Sequence, residues 1–187
     1  MTIYINKDET VFHLEMKDSS YIFRILENGE LQHLYFGKRI HVKENYNQLM
    51  AYEKRGFEVS FSEEFEDIQQ SMIQNEYSSY GKGDFRHPAF QVQGMNGSRI
   101  TTLKYQGFEL KKGKNRLNSL PSTFDDIGQC AETLTIILTD SILDLTVRLN
   151  YTIFPEYNVL VRNTEFLNNS NNKLTLLKTM SLQLDLP

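Results

Sequence analysis

The C-terminal third of the chain alternates hydrophobic and polar residues over three runs. Leucine or isoleucine at 134, 136 and 138 alternates with threonine at 133, 135 and 139, and apolar residues occupy every second position over 143–153. A period of two turns one face of a strand toward a core and the other toward water. These runs therefore predict half-buried antiparallel strands. A third run, 174–186, also alternates, although Lys178 interrupts its apolar face.

Two Asn-Gly dipeptides lie between apolar runs in the first half of the chain. The first, at 28–29, predicts a hairpin over residues 20–36, because Asn-Gly readily supplies the two positive φ angles of a type I′ turn. The second, at 96–97, predicts a hairpin that joins residues 90–93 to residues 99–105. Strands spaced about ten residues apart predict a two-sheet sandwich.

The alternation fails between residues 40 and 80. Acidic residues cluster over 63–67, and apolar side chains fall near helical spacing over 65–73. We predict a long insertion that carries one short helix. Such insertions are usually functional or packed against something outside their own domain. The predicted fold class is all-β, an antiparallel two-sheet sandwich with this insertion.

Composition and charge exclude several classes of protein. The 187 residues suffice for one domain, and 20 basic against 24 acidic residues give a net charge of -4. This charge argues against a dedicated nucleic-acid binder. No apolar stretch approaches the ~20 residues of a membrane-spanning helix, and the first ten residues lack the pattern of a secretion signal, so we expect a cytoplasmic protein without a membrane partner. The single cysteine, Cys130, excludes an internal disulfide, and we predict that it is a small buried residue.

The sequence shows no catalytic or cofactor-binding constellation. The four histidines are dispersed, which disfavours a metal site, and no G-x-S-x-G elbow occurs for a serine nucleophile. The Gly-Lys-Gly segment at 81–83 precedes Asp84 rather than opening a helix, so it is not a phosphate loop. Asp84 and Arg86 flank Phe85, and we interpret them as a structural ion pair rather than as ligand contacts. We expect no cofactor and no metal.

Four segments together resemble a known family. Residues 75–89 (NEYSSYGKGDFRHPA) resemble the E-Y-P-x-Y-G-x-G-D-F-R-x-P-A motif of bacterial α-galactosidases of glycoside hydrolase family 36. Residues 31–38 resemble the early L-x-H-x-Y-x-G-K strand of that family, and residues 96–99 its N-G-S-R turn. Gly113-Lys114 and residues 120–124 resemble its G-K-P-x-L-x-G-L-P-x-T-Y stretch. With shorter later matches, the resemblance covers roughly residues 20–187.

The resemblance implies that residues 1–187 are the N-terminal β-supersandwich domain of a retaining α-galactosidase. In the family both catalytic aspartates belong to a (β/α)8 barrel that follows this domain. We therefore expect the barrel after residue 187 and an inactive isolated fragment. The complete enzyme is expected to hydrolyse terminal α-galactosides such as melibiose and the raffinose-family sugars.

The resemblance also implies partners for the insertion. Members of this subgroup commonly form homotetramers in which the N-terminal domain of one subunit reaches toward the active site of another through residues 40–75. Several relatives carry an R-x-D-R-x-F stretch there whose acid holds the distal sugar. Its nearest match implies substrate contacts for Arg55 and, as a shifted substitute for the acid, Glu53, because Lys54 occupies the acid's position. As an interface, the insertion should expose apolar side chains: Leu49, Met50, Tyr52, Phe57 and Phe61.

Two hypotheses from other classes remain open at this point. The chain could be a free-standing enzyme of the sugar-mutarotase kind, which needs a histidine opposite a glutamate. The available residues are His33, His87, Glu109 and Glu132, although no motif links them. The chain could also be a stand-alone carbohydrate-binding module, whose aromatic platform would have to be tyrosine or phenylalanine because tryptophan is absent.

Overall fold

The computed structural model of the chain is all-β and antiparallel, as predicted. It describes residues 2–6, 10–43, 45–50, 68–114, 116–117, 120–125 and 130–185. Ten strands span these residues: β1 (Ile3–Asn6), β2 (Val11–Glu15), β3 (Ser19–Ile25), β4 (Leu31–Lys38), β5 (Phe90–Gln93), β6 (Lys104–Lys112), β7 (Glu132–Asp140), β8 (Leu145–Phe154), β9 (Val159–Asn168) and β10 (Thr175–Thr179). Within the described residues there is no helix long and apolar enough to cross a membrane.

Two four-stranded sheets enclose the main core. One sheet has the order β1-β2-β3-β4, the other has the order β6-β7-β8-β9, and β5 and β10 form a small third sheet. Aromatic rings connect the two large sheets: Phe23 of the first sheet stacks on Tyr151 of the second, with ring centroids 4.8 Å apart, and on its own neighbour Phe12, with centroids 4.9 Å apart. Burying such rings removes large apolar areas from water, so this contact holds the sheets together.

The first predicted hairpin is confirmed, but its turn is of a different type. Strands β3 and β4 pair antiparallel, and the amide of Gly29 donates to the carbonyl of Leu26 at 2.8 Å. Gly29 has φ of +82°, whereas Asn28 is not among the residues with positive φ. This arrangement is a three-residue loop with a left-handed glycine rather than a type I′ turn. Glycine is needed at only one of the two positions.

The second predicted hairpin is wrong. Its local turn does form, since Gly97 has φ of +81° and its amide donates to the carbonyl of Gly94 at 3.0 Å. However, β5 pairs with β10, and β6 pairs with β7. A turn dictates only the chain reversal, whereas the strand partner is chosen by what the whole sheet buries.

The insertion between β4 and β5 contains isolated bridges but no strand in its described residues. Among the described residues of the insertion, a 3-10 turn spans Asn47–Leu49. The C-terminal part of the predicted helix is not helical: the amide of Met72 donates to the carbonyl of Gln69, which closes one turn. Residues 51–67, where the rest of that helix was predicted, lie outside the described residues.

A buried histidine anchors the beginning of the insertion to the first sheet. The Nδ1 atom of His13 lies 2.7 Å from the hydroxyl of Tyr46, and its Nε2 atom lies 2.9 Å from the hydroxyl of Ser20. The Tyr46 hydroxyl also accepts from the amide of Lys43, and the Ser20 hydroxyl accepts from the amide of Ile40. One imidazole therefore ties Ile40, Lys43 and Tyr46 to the sheet through two hydroxyl groups.

Two of the apolar residues predicted to be unpartnered have a core of their own. Leu49 and Met50 are half-buried against a small second cluster on the first sheet, formed by Val11, Ile22, Leu34 and Tyr46. The prediction for these two residues was wrong because the first sheet is covered on both faces. Tyr52, Phe57 and Phe61 lie outside the described residues.

The structure accounts for two further positions, Cys130 and Lys178. Cys130 is exposed rather than buried. The carboxylate of Asp125 accepts hydrogen bonds from the amides of Cys130 and Ala131, which directs Ala131 inward instead. Lys178 follows a register shift in β10, and its ammonium contacts the ring of His87. The shift breaks the strict alternation and explains a lysine within an apolar pattern.

Candidate functional site

The substrate-binding residues implied by the resemblance, Glu53 and Arg55, lie outside the described residues. Three other features of the described residues could carry chemistry: a buried carboxylate cluster, a pinned loop and a surface groove. Each is built from residues of several elements and is considered in turn.

A buried carboxylate, Glu76, lies between the two large sheets. Its side chain is fully buried and accepts hydrogen bonds at 2.7 Å from the hydroxyls of Tyr21 on β3 and Tyr151 on β8. The guanidinium of Arg162 on β9 lies 2.7 Å from one carboxylate oxygen, and Nδ1 of His33 on β4 lies 3.0 Å from the other. One acid thus joins four strands of two sheets.

Opposing effects act on the ionisation of this cluster. Burial favours the neutral form of Glu76, but the charge of Arg162 and the hydrogen bond of His33 outweigh it, and the pKa of Glu76 falls below its ordinary value. Burial and the Glu76 charge raise the pKa of Tyr21 well above its ordinary value. Arg162 also stacks 3.7 Å from the ring centroid of Tyr151. The carboxylate is therefore held ionised and cannot serve as a general acid near neutral pH.

The sequence places Glu76 in the resembling motif, but nothing in the pattern indicates its four partners. His33, Tyr21 and Tyr151 are separated from it by 43, 55 and 75 residues. In the sequence, each of these three residues also looks like an ordinary member of a strand. The sequence neighbours of Glu76 are mostly polar, as in Gln74, Asn75 and Ser78, so no local signal pointed to a buried charged cluster.

The loop that carries Phe85 is pinned by its neighbouring arginine. The predicted ion pair of Asp84 and Arg86 is confirmed, with Arg86 Nε 2.8 Å from the carboxylate. The same guanidinium contacts the carboxylate of Asp185 and donates to the carbonyls of Gln70 and Ile73 at 2.8 and 2.9 Å. Burial lowers the pKa of Arg86, but the bonds and charges of Asp84 and Asp185 outweigh this and raise it above its ordinary value.

The polar space beneath this loop is too small for a sugar. Glu30, Lys82 and Asp84 line a cavity of about 20 Å³. That is room for roughly one water, whereas small-molecule pockets usually measure roughly 300–1,000 Å³. Lys82 and Glu30 form an ion pair in its wall. We interpret this cavity as part of the internal bracing of the loop.

A larger groove of about 530 Å³ runs between the exposed edges of β1 and β6. Its lining is mainly apolar and includes Tyr4, Val11, Phe108 and Leu110. The ring nitrogens of His13, which also borders the groove, are already engaged by two hydroxyls. A sugar needs several free polar partners, so this lining does not resemble a galactose site.

The residues that a mutarotase-like site would need are held apart by different partners. His33 is buried against Glu76, and His87 contacts Lys178. Glu109 pairs with Arg148 at 2.5 Å, and Glu132 accepts from the hydroxyl of Thr2 at 2.7 Å. No group of three or more histidine, cysteine, aspartate or glutamate side chains that could hold a metal occurs in the described part of the chain.

The fold and these clusters define an antiparallel β-sandwich domain whose buried ionisable groups hold its own sheets and loops together. The chain belongs to the glycosyl hydrolase family 36 N-terminal domain family, whose model matches residues 29–187. This match confirms the family indicated by the sequence motifs.

The chain is similar to α-galactosidases of bacteria and fungi. The chain is 35% identical to α-galactosidase AgaA of Geobacillus stearothermophilus over 187 residues, which is 100% of this chain and 26% of that protein. The structure of the α-galactosidase from Lactobacillus brevis superposes with a TM-score of 0.94 at 48% identity, over 98% of this chain and 25% of that one. A variant of AgaA in complex with raffinose superposes with a TM-score of 0.86 at 35% identity, over 93% and 24%. The chain thus spans about a quarter of the length of these relatives.

Proposed function

We propose that this chain is the non-catalytic N-terminal domain of a longer α-galactosidase. The observation that carries the proposal is the match along essentially the whole chain to about a quarter of several α-galactosidases. The carboxylates of Glu76 and Asp84 support it. Each is engaged by an arginine of the same domain, so neither is available as a catalytic acid or nucleophile. Catalysis would then belong to the (β/α)8 barrel that the family resemblance implies after residue 187.

The proposed substrates are terminal α-galactosides, including melibiose and raffinose-family sugars. A relative with the same domain has been solved with raffinose, which supports this class. The complete enzyme would hydrolyse them with retention, using two carboxylates about 5 to 5.5 Å apart. No cofactor or metal is needed for this chemistry.

Activity assays test whether catalysis requires the part of the protein outside this domain. The 187-residue chain and the complete polypeptide made by the source cell are assayed on an aryl α-galactoside. We expect turnover only by the complete polypeptide, with the α-anomer of galactose released first. Turnover by the purified 187-residue chain above a no-protein blank, or an inactive complete polypeptide, would contradict the proposal.

Calorimetric titration of the 187-residue chain with galactose separates the two alternative functions from this one. A carbohydrate-binding module or a mutarotase-like enzyme should bind at millimolar concentration or better. The proposed function expects no measurable heat. The scattered partners of His33, His87, Glu109 and Glu132 support that expectation.

We also propose that the domain takes part in assembly of a homo-oligomer, a tetramer by the family resemblance. In it, Glu53 and Arg55 would reach the rim of a neighbouring active site. Sedimentation velocity of the complete polypeptide tests the oligomeric state, with a monomer at assay concentration contradicting it. A cytoplasmic location remains a prediction from the sequence, and fractionation of the source cell tests it.

A further inference from the structure

Phe85 is the most exposed large apolar side chain of the described residues, at 92% of its full accessible area. It lies between Asp84 and Arg86, both of which are held by hydrogen bonds. A single exposed apolar residue is ordinary on a protein surface. A phenylalanine held outward by a braced loop is different, because the bracing prevents it from turning in.

Exposed apolar side chains also lie on the segments that adjoin this loop: Tyr80, Ile100, Met180 and Leu182. Ile100 borders Gly81, since its Cγ1 atom lies 2.9 Å from the position of a Cβ atom at that glycine. We call Phe85 and these four residues the Phe85 face. Several exposed apolar side chains on adjoining segments are typical of a site of interaction.

Hydrogen bonds align the segment 180–185 with the Phe85 loop. The Tyr77 hydroxyl donates to the carbonyl of Met180 at 2.8 Å, and the amide of Ser78 donates to the side chain of Gln183 at 2.8 Å. Asp185 binds Arg86 and accepts from the amide of Asn75 at 3.2 Å. Residue 185 is therefore fixed beside Arg86, the residue that follows Phe85 in the chain.

We propose that the Phe85 face is the docking surface for the part of the polypeptide that follows residue 185 in the complete protein. This inference rests on the proposed function. The family is defined as an N-terminal domain, and its relatives are about four times as long as this chain. The rest of each relative therefore continues from the C-terminal end of the domain. Because Arg86 ties Asp185 to the loop, the continuing chain starts next to the face. Tethering of this kind makes docking effectively intramolecular.

The bracing of the loop favours such docking. Forming an interface costs conformational entropy for every side chain and loop that becomes ordered, and a surface that is already ordered lowers this cost. The guanidinium of Arg86 joins three segments, through Asp84, Asp185 and the carbonyls of Gln70 and Ile73. The loop is thus ordered before anything covers it. In this proposal Arg86 is a positioning residue.

Hydroxyl-radical footprinting of the complete, unmodified polypeptide tests the proposal, because the rate of ring oxidation follows side-chain exposure. Phe124 is the matched control, since it is also a phenylalanine and is 64% exposed in the domain. We expect Phe85 to be oxidised several-fold more slowly than Phe124, despite its greater exposure in the domain. Oxidation of Phe85 as fast as that of Phe124 would overturn the proposal.

Dilution distinguishes the proposed occupant from a second copy of the chain. Protection of Phe85 should persist at concentrations where the protein sediments as a monomer. Protection lost on dilution to monomer would assign the face to a subunit contact and overturn the proposal. α-Galactosidase activity is measured on the same sample. An active enzyme with an unprotected Phe85 refutes docking alone, whereas an inactive one refutes the proposed function.

Discussion

Arg162 and Glu76, 86 residues apart in the chain, form an ion pair of 2.7 Å that is closed to solvent between the two large sheets. The arginine comes from β9 and the glutamate from the insertion, so the pair connects the insertion to the second sheet. Tyr21 and His33 extend the same cluster to the first sheet. The insertion is therefore an integral part of the sandwich in its described C-terminal portion.

Replacing Glu76 with glutamine should strongly destabilise the domain. The substitution preserves volume but leaves the Arg162 charge buried without an anion, which typically costs about 3–5 kcal/mol. Urea unfolding followed by circular dichroism measures the loss. The control is Glu109→Gln, whose 55%-exposed carboxylate pairs with Arg148 and should cost less than about 1 kcal/mol. Adding Arg162→Met to Glu76→Gln should recover part of the loss. Equal effects of the two glutamine variants would contradict a structural role for the cluster.

The stability of the domain should fall as the pH is lowered from 6.5 toward 4, partly through His13. Burial lowers the pKa of His13 to about 4, below its ordinary 6.5, so the unfolded chain binds more protons than the folded one in this window. The stability contribution is complete above pH 6.5 and is lost as the pH falls toward 4. It amounts to about 3 kcal/mol, taking 1.36 kcal/mol per pKa unit.

Urea unfolding at several pH values tests the role of His13. His13→Gln should flatten the pH dependence between 6.5 and 4, because glutamine does not titrate there. His41→Gln is the control, since His41 is exposed. An unchanged slope in His13→Gln would show that another group causes the acid sensitivity.

Replacing Arg86 with lysine should destabilise the domain. The guanidinium serves two carboxylates and two carbonyls at once, and a lysine ammonium has neither the planar shape nor enough donors for this. We expect Arg86→Lys to cost about 1.5–3 kcal/mol, as for lost hydrogen bonds to charged groups. The control is Arg99→Lys, because Arg99 is exposed and its Nε donates to the side chain of Gln93. Similar unfolding midpoints for both variants would contradict the clamp.

Alanine substitutions at three glycines should rank in a defined order. Gly81 has φ of +93°, and a Cβ atom there would lie 2.9 Å from Ile100. Gly97 has φ of +81° but open space around it, and Gly107 has neither constraint. A left-handed alanine costs about 1–2 kcal/mol, so Gly81→Ala should be the most destabilising, Gly97→Ala intermediate and Gly107→Ala nearly neutral. Thermal unfolding measures the order, and a neutral Gly81→Ala would refute the close packing of Ile100.

In the complete enzyme, Arg55→Ala should impair a trisaccharide more than an aryl α-galactoside. A side chain that reaches the distal sugar has nothing to hold on the shorter substrate. One charged hydrogen bond is worth about 1.5–3 kcal/mol, which sets the expected loss in kcat/KM for raffinose. Lys54→Ala is the neighbouring control. Equal losses on both substrates would indicate that Arg55 acts through stability or assembly.

The sequence by itself determined the all-β class, the two central strands of the second large sheet, β7 and β8, and the first hairpin. These features follow from local patterns: a period of two over 134–153 and one glycine that can adopt positive φ. The family was also readable, because its motifs are short and contiguous. The ion pair of Asp84 and Arg86 followed for the same reason, since its partners are two residues apart.

The tertiary structure alone decided which distant groups meet. The pairing of β5 with β10, the four partners of Glu76 and the contact of Arg86 with Asp185 all span more than 40 residues. Local propensity does not predict such contacts, because their free energy comes from burial and charge pairing that exist only once the sheets have packed. The exposure of Cys130 and the burial of Leu49 were mispredicted for the same reason: side-chain burial depends on neighbours that the sequence pattern does not name.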